Sequence, residues 1–232
     1  MDYWFDLARG PLFAGALLIM LLGLGRHVLL QLHSLVFKKG RRLRQVSWRR
    51  VAAESLDWAV PLRHFIRGTI FVSATSFLFH VGAILVPLFC ENHIVLWEEW
   101  LGIGLPSLGR GAADILTLTT IGCCLLLLGY RVVIRRAREL SRPSDYVLLI
   151  MVLLPFLSGY LAAHPHLSPI PWGGMMLTHI LSAEALMIVA PFSKLSHIVL
   201  FAFDRLSAVH WQLRPGAGEE AAEALFGKEA RV

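Results

Sequence analysis

Two histidines on the last apolar stretch of the chain, His179 and His197, are 18 residues apart. On a continuous α-helix this distance makes five turns of about 3.6 residues, so both side chains would face the same way. The imidazoles would lie about 27 Å apart, one near each surface of a hydrocarbon core about 30 Å thick. Because imidazole is a common axial ligand of haem iron, the spacing predicts one ligand to each of two stacked haems, as in a transmembrane electron carrier.

Another apolar stretch carries His64 and His80, 16 residues apart. If it crosses the membrane in the opposite direction, His80 lies at the depth of His179. His64 then lies at the depth of His197, because 16 residues span about 24 Å of helix. The same spacing turns the two side chains about 160° apart. A bulge, a strong tilt or a kink after Pro61 is therefore needed to turn His64 to the side that His80 faces.

A histidine inside an apolar helix is more often a hydrogen-bonded structural residue than a ligand. Intramembrane ionisable residues are nevertheless functional candidates by default, and two histidines at matching depths on each of two helices favour ligation. His27 and His33, on the first apolar stretch, are alternatives to His64 as the inner ligand, although we interpret them first as interfacial residues.

The composition indicates an integral membrane protein, because 56% of the 232 residues are hydrophobic, 16% are charged and the mean hydropathy is +0.62. Backbone polar groups in lipid must be satisfied within each spanning segment, so apolar stretches of this length are expected to be helical. We predict an all-α membrane protein with a five-helix bundle in residues 1–203 and a tail at 204–232. The predicted spans are at about 11–32, 65–89, 112–134, 146–164 and 174–203.

Basic residues predict the orientation of the bundle. They are concentrated at 38–50, between the first two spans, and at 131–142, between the third and fourth. By the positive-inside rule these loops and the C-terminal tail are cytoplasmic, and the N-terminus is outside, which fits a multi-pass protein of a prokaryotic cytoplasmic (inner) membrane. The net charge of +6 is thereby explained by topology and not by nucleic-acid binding.

Few other chemical motifs are present. Three cysteines, two of them the adjacent pair Cys123 and Cys124, are too few for a four-thiolate iron–sulfur cluster. The sequence also lacks a phosphate-binding loop, a Rossmann glycine pattern, a zinc motif and a nucleophile elbow. Chemistry on a soluble substrate is therefore expected on another subunit.

Charged residues near the histidines have two interpretations each. Arg63 and Arg67 flank His64, where guanidinium groups would pair with haem propionates. Anchoring of the helix at the headgroups is the alternative for Arg63, whereas the deeper position of Arg67 favours the propionate. Glu184 lies five residues after His179, inside the predicted span. It either carries protons for quinone chemistry or is a neutral acid bonded to Ser182 or to a neighbouring helix.

The connection between the second and third spans carries His93, Glu98 and Glu99. Oxidation of a quinol needs a proton acceptor, and these side chains are candidates, although we interpret each first as a surface-loop residue. His164 and His166 lie in the next connection on the same predicted side. A divalent metal site built from these residues lacks any diagnostic spacing.

The stretch HILSAEALMIVAPFSKLSHI, residues 179–198, closely resembles the last helix of the respiratory nitrate reductase gamma subunit family, the membrane dihaem cytochrome b subunits. Its most specific part is PFSKL at 191–195. HVGAILVP at 80–87 and WQLR at 211–214 add to the resemblance. The segment HIVLWEEWLGI at 93–103 is similar to the branch found in sulfate-reducer-type redox complexes.

The resemblance implies a haem b near the outer face held by His80 and His179, a second haem with His197 as one ligand, and a quinone site beside the outer haem. One departure concerns the span that carries His80. The family has a second histidine ten residues before the outer one, and here that position is Ile70. Either His64 substitutes for it or the inner haem is altered or missing. The family's lysine after the second helix also lacks an obvious counterpart.

These observations predict a cytochrome b subunit that transfers electrons between the quinone pool and a cytoplasmic iron–sulfur or catalytic subunit, in contact with membrane lipid. Other membrane or cytochrome c subunits would complete the complex. The end of the tail is expected to form a short amphipathic helix, and the tail would dock on the partner or remain a loosely ordered terminus. The alternatives are a haem-free or single-haem membrane anchor and a metal-ion transporter.

Overall fold

The structure is a computed structural model that describes residues 2–34, 37, 49, 52–53, 70–201, 203 and 217–226. Within these residues the chain is all-α and has no strand. Five helical segments are long and apolar enough to span a membrane, which confirms the predicted multi-pass helical architecture. They are Tyr3–His33, Ile70–Phe89, Arg110–Val133, Pro143–Ala163 and Trp172–Phe192. The orientation of the termini stays a prediction.

The α-helices of the described residues are numbered in chain order. They are α1 (Asp2–Leu7), α2 (Phe13–His33), α3 (Ile70–Phe89), α4 (Glu91–Leu101), α5 (Arg110–Val133), α6 (Arg135–Leu140), α7 (Pro143–Ala163), α8 (Trp172–Val189) and α9 (Ala217–Phe226). A π-helical segment, Ala8–Leu12, joins α1 to α2, and short 3₁₀ turns form at Pro165–Leu167, Ala190–Phe192 and Lys194–Ser196. The helix α9 confirms that the predicted amphipathic end of the tail is helical.

The chain divides into two compact units, one made of 1–15 and 64–186 and the other of 16–63 and 187–232. In the first unit α3 packs along α5, and α5 packs along α7. Gly82 allows the close approach of α3 to α5, because a Cβ at this position would collide with the hydroxyl of Thr120. The Thr120 hydroxyl donates to the Leu116 carbonyl at 2.7 Å, so it is satisfied within its own helix.

The connection between α3 and α5 contains the helix α4, which replaces the predicted surface loop. It begins after Cys90, whose backbone is extended, and ends at Gly102, whose φ of 67° is the left-handed conformation that favours glycine at a helix C-terminus. Trp97 and Trp100 pack against Phe13, with ring centroids 6.4 Å and 5.7 Å away. Aromatic packing therefore holds α4 within the first unit.

The last span is not one continuous α-helix to residue 203, so the predicted span 174–203 is wrong in this respect. The α-helix ends at Val189, and the 3₁₀ turns Ala190–Phe192 and Lys194–Ser196 follow, separated by the extended residue Ser193. Pro191 lies at the first turn of this break, where its ring and its missing N–H interrupt an α-helix. The rule that 18 residues place two side chains on one helical face therefore does not apply to His179 and His197.

Candidate functional site

The ring of His179 on α8 is held by α7. Its Nδ1 lies 2.8 Å from the carbonyl oxygen of Pro155. A carbonyl oxygen only accepts, so Nδ1 carries the hydrogen, and in the neutral ring Nε2 carries the lone pair. Gly159, one turn later on α7, makes room for the ring, because a Cβ there would be 2.8 Å from both Cε1 and Nδ1 of His179.

His93 on α4 lies parallel to His179, with ring centroids 5.9 Å apart and an interplanar angle of 5°. Its Nδ1 donates to the Pro87 carbonyl oxygen at 3.2 Å, and the indole N–H of Trp97 donates to the same oxygen at 3.0 Å. Burial lowers the pKa of His93 from its ordinary value, and the neighbouring His179 lowers this pKa further. The interpretation of His93 as a surface-loop residue is therefore wrong, whereas Glu98 and Glu99 are exposed on α4.

His80 on α3 makes the same kind of bond as His179. Its Nδ1 donates to the carbonyl oxygen of Ser76, one turn earlier, at 2.7 Å. The ring edge meets Phe79 in a T-shaped contact with centroids 5.3 Å apart. The side chain is exposed on the helix surface, and its bond places the hydrogen of the neutral ring on Nδ1.

His197 follows the second 3₁₀ turn of the break. Its Nδ1 donates to the Lys194 carbonyl oxygen at 2.6 Å, and the side chain is exposed. The side-chain oxygen of Ser193 accepts from the backbone N–H of Leu195 at 3.2 Å and so caps this turn. His197 thus has the same bond from Nδ1 to a backbone carbonyl as His80 and His179.

His27 on α2 has the opposite arrangement. Its Nε2 donates to the Pro191 carbonyl oxygen at 2.8 Å, so Nδ1 carries the lone pair of the neutral ring. His33 is exposed and its ring lies 4.8 Å from that of Phe37. The other inner-ligand candidate, His64, and the propionate candidates Arg63 and Arg67 lie outside the described residues.

Glu184 is buried in α8, with 5% of the residue exposed. Its Oε1 has no hydrogen-bond partner among the described residues. Ser182 donates its hydroxyl hydrogen to the His179 carbonyl oxygen at 3.0 Å and not to Glu184, so the predicted bond to Ser182 is wrong, whereas a bond from Glu184 to a neighbouring helix stays a prediction. A buried carboxyl oxygen without a partner is costly in an apolar segment, which makes Glu184 a candidate for proton transfer.

A second polar cluster joins α5 to α7. The Nε2 of His164 lies 3.5 Å from Oδ2 of Asp114, and its Nδ1 donates to the Tyr160 carbonyl oxygen at 3.0 Å. The ring also stacks on that of Tyr160, with centroids 4.3 Å apart. Within the described residues no three His, Cys, Asp or Glu side chains come close enough to hold a metal ion.

The donor chemistry of three histidines fits axial ligation of haem iron. His80, His179 and His197 each donate Nδ1–H to a backbone carbonyl, which fixes the ring orientation and the tautomer. Such a bond is the usual support of a metal-ligating imidazole, because it also raises the basicity of Nε2. The hydrogen bond of His27 does not provide this arrangement.

The chain is 34% identical over 201 residues to a protein of Nitratidesulfovibrio vulgaris, and the match covers 84% of this chain and 88% of that protein. The chain belongs to the family of that protein. The relative carries only the name "Protein", which describes no activity. No model of a known protein family and no solved structure matches the chain.

Sequence reasoning missed two contacts of this site. The parallel packing of His93 on His179 joins residues in different helices, and no local pattern indicates it. The pairing of Asp114 with His164 is also long-range. A local signal for Asp114 does exist, because an acidic residue near the first turn of an apolar span is a candidate for a polar contact.

Proposed function

We propose that the chain is a membrane cytochrome b subunit of a respiratory redox complex, which passes electrons between the quinone pool and a partner iron–sulfur or catalytic subunit. The observation that carries the proposal is the shared hydrogen-bond pattern of His80, His179 and His197. Each is an imidazole in an apolar helical protein with Nδ1 committed to the backbone. A haem iron would be bound through Nε2, the ring nitrogen opposite this bond.

His80 and His179 would supply the two axial imidazoles of one haem b, and His197 would supply one ligand of a second. When bound, haem supplies a one-electron centre, which none of the side chains of this chain provides. Pro155 and Gly159 fix the ring of His179, so this ligand is positioned before the cofactor binds. The surrounding apolar helices limit the access of water to that ring.

Oxidation of a quinol to a quinone releases two electrons and two protons, and the protons need acceptors. Glu184 has a buried oxygen without a partner among the described residues, and His93 donates Nδ1–H to the Pro87 carbonyl, so that Nε2 is the ring nitrogen that would accept a proton. We assign these two residues to proton transfer. Quinol oxidation by the complex should fall in the Glu184→Gln variant while its haem content is unchanged, and an unchanged rate would remove this role.

The test of the cytochrome is the spectrum of the purified full chain, produced in cells with an adequate haem supply. We expect b-type bands in the reduced-minus-oxidised difference spectrum and one or two haems per chain by the pyridine haemochrome assay. His80→Ala and His179→Ala should each remove one haem. The control His166→Ala changes an exposed histidine with no proposed ligand role and should keep the haem content. Full haem content in His179→Ala would disprove the ligand assignment.

The inner haem has its own test. Haem stoichiometry in His64→Ala, His27→Ala and His33→Ala, each compared with the wild type, identifies the partner of His197. We expect His64→Ala to lose one haem and His27→Ala to keep it, because Nε2 of His27 is already bonded to Pro191. Two haems in His64→Ala would disprove this ligand assignment.

A haem-free membrane anchor is the second candidate. The observation that favours it is that His179 contacts protein on two sides, through the Pro155 carbonyl and the ring of His93. A histidine that only ties helices together would make the same contacts. Absence of b-type bands from the purified wild-type chain would select the anchor over the cytochrome.

A further inference from the structure

Arg26 is a cation inside the first membrane-spanning segment, Tyr3–His33. Its side chain is exposed, and no hydrogen bond or ion pair joins it to any described residue. A guanidinium in a membrane span is costly unless it finds an anion or reaches the headgroups. Arg26 lies seven residues before the end of the span at His33, about 10 Å along the helix, so its side chain can reach the level of the headgroups.

Two adjoining grooves of the second unit share Arg26. One groove, of about 370 Å³, is apolar and is lined by Leu21, Leu22, Gly25, Leu29 and Leu30 of α2. The other, of about 380 Å³, is more polar, and its lining includes His27, Ser193 and Ser196. Arg26 therefore lies between a surface suited to a hydrocarbon chain and a surface suited to a polar group.

The polar groove contains one cation and several hydrogen-bond acceptors. Ser193 and Ser196 donate their hydroxyl hydrogens to backbone carbonyls, at 3.4 Å and 2.9 Å, so their oxygens can accept, and Ser193, which already accepts from the Leu195 N–H, has one further lone pair. His27 donates through Nε2, which leaves Nδ1 as an acceptor. No carboxylate is among the described residues that line either groove. The groove matches a group that combines an anion for Arg26 with hydroxyl donors for these acceptors.

We propose that Arg26 and the two grooves bind one anionic phospholipid whose headgroup carries hydroxyl groups, of the phosphatidylglycerol type. The phosphate pairs with the Arg26 guanidinium, the headgroup hydroxyls donate to the acceptors around His27 and Ser193, and an acyl chain lies along the leucine groove. The site belongs to the second unit alone and does not depend on the proposed cytochrome function.

Native mass spectrometry of the purified full chain in a neutral detergent tests the proposal, with dioleoyl phosphatidylglycerol and dioleoyl phosphatidylcholine as probes. We expect the wild type to retain one phosphatidylglycerol and to bind phosphatidylcholine more weakly. Arg26→Gln should bind phosphatidylglycerol about fivefold more weakly, since one basic residue near an anionic surface contributes about that factor, and Arg26→Lys should keep most of the binding. Arg9→Gln is the matched control, an exposed arginine at the other end of the same span.

A second variant tests the acyl groove without touching the cation. Gly25 lines the apolar groove and a Cβ there meets nothing within 4 Å, so the ring of Gly25→Phe should occupy the groove and reduce retention of phosphatidylglycerol several-fold. Equal binding of the two lipids, or unchanged retention in Arg26→Gln or Gly25→Phe, would overturn the proposal. If Arg26→Gln instead lowered the haem content and left lipid retention unchanged, Arg26 would form ion pairs with the haem propionates, and the proposed lipid site would be wrong.

Discussion

The surroundings of His179 and of His197 differ in what fixes the histidine ring. His179 lies in a regular α-helix, and its ring is positioned by other helices through Pro155, Gly159 and His93. His197 follows a broken segment of 3₁₀ turns, and its bond to the Lys194 carbonyl comes from that same segment. Substitutions on α7 should therefore affect the first histidine, and substitutions within the break should affect the second.

The largest effect is expected at Gly159. In Gly159→Ala the new Cβ would lie 2.8 Å from two ring atoms of His179, so the ring or the helix must shift. We expect the free energy of unfolding to fall by about 1–3 kcal/mol and the haem assigned to His179 to be lost or reduced. Unfolding in mixed detergent micelles and the pyridine haemochrome assay measure the two effects.

The matched control for Gly159 is Gly122→Ala on α5, where a Cβ meets nothing within 4 Å. This variant should keep the haem and be up to about 1 kcal/mol more stable, because alanine has the higher helix propensity. If both variants behaved alike, α7 would not position His179, and the proposed difference between the two histidines would disappear.

Gly23 provides the equivalent test in the second unit. A Cβ at Gly23 would lie 2.5 Å from Cβ of Pro191, whereas a Cβ at Gly25 has open space. Gly23→Ala should therefore lower the free energy of unfolding by about 1–2 kcal/mol, because the proline ring or the helix must move. Gly25→Ala is the control and should not be destabilised, as measured in the same unfolding assay. Equal stability of the two variants would contradict the close packing at Gly23.

The membrane spans are predictable because the length of an apolar stretch and the need to satisfy backbone groups in lipid leave few alternatives. The break before His197 also has a signal, since a proline inside a helical pattern ends or kinks the helix. The prediction from the spacing of His179 and His197 nevertheless treats the segment as one straight helix across Pro191. For α4, the signal is Gly102, a helix-ending residue directly after an amphipathic stretch.

The contacts that orient His179 are not predictable in the same way. Pro155 is 24 residues earlier in the chain, and His93 is in another helix, so only the packing of separate helices brings them to the ring. The haem ligands, the quinone chemistry and the roles of His64, Arg63 and Arg67 stay predictions.

A smaller effect is expected from the serine that caps the turn before His197. Ser193→Ala removes the oxygen that accepts from the Leu195 N–H. Loss of a cap of this kind costs about 1 kcal/mol. We expect that loss of stability together with unchanged haem at His179, because the cap lies within the broken segment. Ser168→Ala, at an exposed Ser168–Ile170 bond, is the control. A loss of the haem assigned to His179 in Ser193→Ala would show that the two histidines are not independent.

The smallest expected effect is a pH dependence from His93. Its pKa in the folded chain is lowered by burial and by His179, whereas in the unfolded chain it returns to the ordinary value near 6.5. Below that value the unfolded chain binds a proton that the folded chain resists. The contribution of His93 to stability is therefore present above about pH 6.5 and is lost as the pH falls toward the lower pKa of the folded state.

Melting temperatures at pH 7.5 and pH 5.0 measure this contribution. The decrease on acidification should be smaller in His93→Gln than in the wild type, and His166→Gln, which changes an exposed histidine, should behave as the wild type does. This change in melting temperature bears on the comparison of His179 with His197, because His93 contacts the ring of His179. If His93→Gln lost as much stability on acidification as the wild type, the packing of α4 against His179 would not be tight enough to exclude water from the pair.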